Sequence, residues 1–130
     1  MIVVDASAML EVLLGTKAGA RIGERLLSAD ESLHAPHLID VEVAQVLRRY
    51  AAAGALTDAR SREALSDLAD FPLHRYPHDV LLPRIWELRH NLTAYDAAYL
   101  ALAEALQAPL VTRDPKLAAA PGHTARVDVY

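Results

Sequence analysis

Cysteine is absent from the 130 residues, which excludes disulfide frameworks, thiolate nucleophiles, zinc ribbons and iron–sulfur clusters together. No run of about 18 uninterrupted apolar residues occurs, so a membrane-spanning helix is not expected. The opening stretch Met1 to Leu14 is apolar, but it carries Asp5 and Glu11 with no basic region before them, the wrong pattern for a secretory signal. A cytoplasmic protein is the expectation. Excess positive charge is missing as well. The formal net charge is −4, whereas a protein that holds nucleic acid only through its phosphates is normally basic. Any nucleic-acid function must therefore use local basic groups or bound cations. No aromatic–basic alternation of the RNA-stacking kind is visible either.

What is present is ordinary globular material, with 53% hydrophobic and 23% charged residues. A chain of this length is the size of one domain and buries roughly two thirds of the surface it exposes when unfolded. No repeat, linker or low-complexity segment interrupts residues 1–130, so a single domain is expected. Ile2 to Val4 read as a strand buried on both faces, and helical patterning follows from Ser7 to Leu14, stopping at Gly15. Further helices are expected over 18–29, 38–53, 57–70, 78–90 and 93–107, with the second and third of these forming an αα-hairpin. Short strands fall at 33–35, 73–76 and 110–112, and 126–130 reads as a last edge strand. Strands interleaved with helices predict an α/β domain with a mostly parallel four- to five-stranded sheet.

Four acidic residues sit where surface placement explains them poorly. Asp5 and Asp114 end two of the predicted strands, where sites form in open parallel sheets. Each also suits a helix N-cap, and Pro115 makes Asp114 a good one. Glu42 shares a helical face with Ile39, Val43, Val46 and Tyr50, whereas a solvated glutamate would be expected opposite, with Arg48 and Arg49. Asp96 shares its face with Tyr99, Leu100 and Ala103, and Thr93-Ala94-Tyr95-Asp96 also resembles a capping box. Four carboxylates brought together would raise one another's pKa values unless cations neutralised them. Hard oxygen ligands select Mg²⁺ or Mn²⁺, and such ions can activate water and clamp the oxygens of a phosphoryl transfer.

The N-terminal strand running into Asp5-Ala6-Ser7, the mid-chain helix with Glu42, the segment from Thr93 to Ala103 and the run Leu110-Val111-Thr112-Arg113-Asp114-Pro115-Lys116-Leu117 together resemble the PIN-domain ribonucleases. More closely, the chain is similar to VapC toxins of type II toxin–antitoxin systems, nearly end to end. The resemblance implies a three-layer α/β/α sandwich and a Mg²⁺-dependent endoribonuclease, with Mn²⁺ able to substitute. It implies that Asp5, Asp96 and Asp114 hold metal directly, that Glu42 completes the cluster, and that Ser7 and Thr112 line the same site. It further implies an RNA substrate, a homodimer and a VapB-type antitoxin whose tail occupies the groove near the site.

The remaining features are weaker. His34 with His37, and His74 with His78, have metal-pair spacing but span Pro36 and Pro77, so scattered loop histidines are expected. Trp86 and Tyr99 are expected in the core. Arg113 and Lys116 are the nearest basic candidates for phosphate contact, while Arg48, Arg49, Arg60 and Arg62 are expected on a solvated or partner-facing surface. Two other functions remain open. A Mg²⁺-dependent phosphatase would want a second aspartate where Ser7 stands, and a non-catalytic protein-binding module would use the carboxylates only as caps.

Overall fold

Three consecutive β-branched residues, Ile2–Val4, form strand β1 and are buried completely, as a strand covered on both faces must be. In the computed structural model, which describes residues 1–130, β1 leads into α1 (Ala6–Leu13) and α2 (Lys17–Leu26). Strand β2 (Leu33–Pro36), helices α3 (Leu38–Ala52) and α4 (Asp58–Asp70), and β3 (Leu73–Tyr76) follow. A short 3-10 turn at Asp79–Leu81 opens α5 (Leu82–Glu87), then come α6 (Ala94–Leu106), β4 (Leu110–Thr112), α7 (Pro115–Ala119) and β5 (Val127–Val129).

The five strands pair in the order β3-β2-β1-β4-β5, every neighbour parallel, so the sheet is wholly rather than mostly parallel. The C-terminal edge strand joins with Leu110 opposite Val127. Helices α1 to α4 pack as one group and α5 with α6 as another, α6 lying against β1, β2 and β4. The result is the expected three-layer α/β/α sandwich. Strand order reverses direction at β1, whose neighbours are β2 and β4. At such a reversal the connections diverge to opposite sides and leave a crevice at the carboxyl ends of the strands. Asp5 follows β1 there directly, and Asp114 follows β4 with only Arg113 between.

Three sequence expectations change. The helix expected over 78–90 is broken into the 3-10 turn and the six-residue α5, with Pro83 in the first helical turn, where its missing N–H costs nothing. Helix α7 was not expected; it starts at Pro115 directly after its Asp114 cap. Trp86 is not a core residue. It is 68% exposed and its ring lies under the Arg89 guanidinium, 4.6 Å from the ring centroid. Tyr99, by contrast, is buried as expected.

The histidines are also more ordered than scattered loop residues. His34 and His74 are register partners on β2 and β3 with stacked rings 5.1 Å apart. Buried His34 bonds Tyr76 through Nδ1 at 2.7 Å and Ser32 through Nε2 at 2.8 Å. His78 Nε2 accepts the Leu38 N–H at 2.9 Å, capping the start of α3. No group of three His, Cys, Asp or Glu stands close enough to make a metal-ligand shell. No helix is long and apolar enough to cross a membrane.

Candidate active site

Asp5 is the most constrained of the four acids. As N-cap of α1, its Oδ1 accepts the Ala8 N–H at 2.9 Å and the Ser7 hydroxyl at 2.7 Å. Its Oδ2 accepts the hydroxyl of Thr112, which is fully buried. Burial raises the Asp5 pKa more than these three hydrogen bonds lower it, and Asp96 raises it further.

Ser7 and Thr112 do more than line the crevice. Ser7 Oγ accepts the Arg113 N–H at 2.9 Å, and Thr112 Oγ1 accepts the Asp114 N–H at 2.9 Å. The two hydroxyls thus tie the exit of β1 to the exit of β4. Asp114 caps α7, its Oδ1 accepting the Lys116 N–H at 2.9 Å. Both strand-end aspartates are therefore caps, which does not prevent their free lone pairs from taking a further partner.

Glu42 and Asp96 complete the acidic region from two helices. Thr93 caps α6, accepting the Asp96 N–H at 3.2 Å, and this sets Asp96 in the first turn. The Asp96 pKa is raised by burial and by Asp114, against the Thr93 hydroxyl and Lys116. Glu42 accepts the Tyr99 hydroxyl at 3.3 Å, so Tyr99 is a donor as well as a core residue. The signal was available: Tyr99 lies three residues beyond Asp96 on the same helical face. Burial, then Asp96 and Asp5, push the Glu42 pKa up to about 7 despite the Tyr99 hydrogen bond. The Tyr99 phenol is itself pushed upward, mostly by burial and next by Glu42.

Asp5, Glu42 and Asp96 thus lie within electrostatic reach of one another, and Asp114 within reach of Asp96. None of the four forms an ion pair with lysine or arginine. They do not close into a shell of three ligands. What they present is an excess of partly desolvated oxygen donors, with Lys116 acting on Asp96 from a distance and no lysine or arginine in ion-pair contact, which is chemistry suited to a hard divalent ion.

The placement of α3 departs from expectation. Its core stripe is Ile39, Val43 and Leu47. Glu42 lies on the adjoining face, with Gln45, Val46, Arg49 and Tyr50, along a cavity of about 630 Å³ that also reaches Ser7 and Arg113. Arg49 was expected opposite Glu42. Seven residues make nearly two turns at about 3.6 residues per turn, which returns Arg49 to Glu42's side. Arg113 is partly committed, lying 3.6 Å from Glu11 and donating to the Tyr130 carbonyl. Arg60 and Arg62 are engaged away from the acids, with Glu63 and the Leu13 carbonyl for Arg60 and with Asp58 for Arg62.

Comparison with known proteins agrees along nearly the whole chain. The PIN domain family matches residues 2–122. Ribonuclease VapC1 of Mycobacterium tuberculosis is 46% identical over 121 residues, covering 92% of this chain and 90% of that one. Among solved structures, PAE2754 from Pyrobaculum aerophilum superposes with a TM-score of 0.72 at 29% identity, over 99% of this chain and 83% of the other. VapBC2 from Rickettsia felis, bound to a DNA fragment from its promoter, gives a TM-score of 0.72 at 14% identity, over 99% and 98% of the two chains.

Proposed function

The chain belongs to the PIN-domain family as a VapC-type ribonuclease, and from that premise we propose that residues 1–130 act as one unit in which Asp5, Glu42, Asp96 and Asp114 hold Mg²⁺ or Mn²⁺ for the hydrolysis of RNA. The observation that carries this reading is the gathering of Asp5, Glu42 and Asp96 in one partly buried crevice, where burial first and then neighbouring acids (Asp96 for Asp5, Asp96 and Asp5 for Glu42, Asp114 for Asp96) raise their pKa values, with no lysine or arginine in ion-pair contact. Such an arrangement costs stability in an empty site and is relieved by a divalent ion. When bound, the ion supplies a Lewis acid that eases deprotonation of water and neutralises charge gathering on the phosphodiester oxygens.

The protein's own groups have distinct tasks. Asp5 is fixed by the Ser7 and Thr112 hydroxyls and the Ala8 N–H, so it loses little freedom when it takes a ligand. Thr93 orients the first turn of α6, keeping Asp96 at the mouth of the crevice. Tyr99 holds one oxygen of Glu42 and favours its ionised form. Ser7 and Thr112 act as positioning residues. Attack in line with the departing 3′ oxygen leaves a 5′ phosphate.

Membership of the VapC class supports a toxin role and a VapB-type antitoxin as partner. The apolar side chains of Val80, Leu82 and Trp86, close together along the 3-10 turn and α5 and between 56% and 70% exposed, are in keeping with contact between two copies. A monomer at micromolar concentration by light scattering would remove that last part. Catalysis has a direct test. Antitoxin-free protein should degrade RNA with Mg²⁺ or Mn²⁺ and stop in chelator, and Asp5→Ala and Asp96→Ala should each abolish cleavage while circular dichroism shows the fold retained. Cleavage that persists in excess chelator refutes the metal assignment. The capping-only reading predicts no thermal shift with divalent metal and alanine variants that still bind the protein partner, with no activity to lose.

A further inference from the structure

The cavity beside the acids has polar groups that the fold leaves unused. On its α1 side the polarity is spent: Glu11 accepts the Thr16 hydroxyl and pairs with Arg113, and Arg113 also holds the Tyr130 carbonyl. On its α3 side, Gln45, Arg49 and Tyr50 line the cavity and make no side-chain hydrogen bond or ion pair. The floor between the two sides is apolar, formed by Leu10, Leu14 and Val46. The α3 groups recur at three, seven and eight residues from Glu42, so they climb one helical face and end about 12 Å from it along the axis. The cavity is therefore continuous with the acidic crevice, which contributes Ser7 and Glu42 to its wall.

Resting on the ribonuclease reading above, we propose that this cavity is a nucleotide subsite, seating one base of single-stranded RNA next to the phosphodiester being cut. Three chemistries converge on that ligand. A tyrosine ring, 41% exposed beside an apolar floor, offers a stacking surface that any base can use. Gln45, on the same wall, carries an amide with two donors and an acceptor, the group needed to bond a base edge. Arg49 supplies an unpaired guanidinium for a neighbouring phosphate. A volume of about 630 Å³ suits a ligand of this size. Tyr50 sets the strength of binding and Gln45 sets which base is preferred. The subsite gives an acidic protein a local way to hold RNA that does not depend on net charge.

The test compares two phosphodiesters with Mn²⁺ present. One is a randomised RNA oligonucleotide, with cleavage sites read by sequencing 5′ ends; the other is bis(p-nitrophenyl) phosphate, which has no base. Tyr50→Ala should raise the KM for RNA roughly tenfold, the loss expected for one stacked base, with a far smaller change on the base-free diester. Tyr50→Phe should restore most of the loss. Gln45→Ala should flatten the sequence preference at one position beside the cut, and Arg48→Ala, outside the cavity, should change neither readout. Unchanged KM and unchanged preference in Tyr50→Ala and Gln45→Ala overturn the subsite. So does loss of antitoxin affinity alone, which would give the cavity to a protein. Wild-type protein inert on both diesters removes the ribonuclease reading itself, and the subsite falls with it.

Discussion

At the scale of single residues, Thr112 shows how a small hydroxyl can matter more than a charge. It is fully buried, donates to Asp5 and accepts from the Asp114 N–H at 2.9 Å, so one oxygen links the two strand-end acids. Thr112→Val keeps the shape and removes both bonds, leaving a part-buried N–H and a buried carboxylate oxygen without their partner. The expected cost is about 1–3 kcal/mol in urea unfolding. Loss of the hydrogen bond that favours ionised Asp5 also raises that acid's pKa further, so divalent affinity should fall at neutral pH and partly recover at alkaline pH. A Val variant with wild-type stability and metal affinity would show that the hydroxyl only fills space. Asp5 and Asp114 were legible in the sequence because strand ends are punctuated locally. Thr112's bridging role was not, because its partner lies 107 residues away and only sheet pairing brings them together.

Elements were legible where periodicity and punctuation agreed, as in the α3–α4 hairpin turning at Gly54, whose φ of 76° favours glycine. They were not where packing decides. Five-residue α7 is too short to declare itself by pattern, and Trp86's exposure depends on which side of the six-residue α5 meets α6. The orientation of α3 was misread because Glu42 was grouped with the core stripe when it sits beside it. The contact of α1 with α2 is a further case invisible to pattern. A Cβ on Gly19 would come within 2.0 Å of the Glu11 carbonyl oxygen, a backbone atom that cannot step aside. Gly19→Ala, although it raises intrinsic helix propensity, should destabilise by about 1–3 kcal/mol through this overpacking. An unchanged or higher midpoint in thermal unfolding would mean that the two helices can separate freely. Because Glu11 pairs with Arg113, the same variant should also loosen the cavity wall.

At the scale of the whole molecule, stability depends on what the acidic crevice holds. Glu42 has a pKa raised from the usual carboxylate range to about 7, so the fold disfavours its ionised form. Its contribution to stability is best below the unfolded pKa and is lost as pH rises through about 7. His34 acts in the opposite sense. Burial lowers its pKa, so protonation of the unfolded chain costs stability as pH falls. The two overlap in metal-free protein, and Glu42→Gln separates them. At pH 8 without divalent ions the glutamine variant should be more stable than wild type, by about 1–2 kcal/mol once screening at a partly buried site is allowed for. At pH 5, just above the ordinary glutamate pKa, the difference should shrink to about a quarter of its full size. Added Mg²⁺ reverses the order, because only the wild type offers the full set of carboxylates. Saturation at about 100 times the dissociation constant adds about 2.7 kcal/mol to the protein that binds. Differential scanning calorimetry of both proteins at the two pH values, with and without Mg²⁺, reads all of this in one experiment. Wild-type protein as stable as the variant at pH 8 in chelator, with no Mg²⁺ shift in either, would mean that the carboxylates do not strain the empty fold and have no use for a cation.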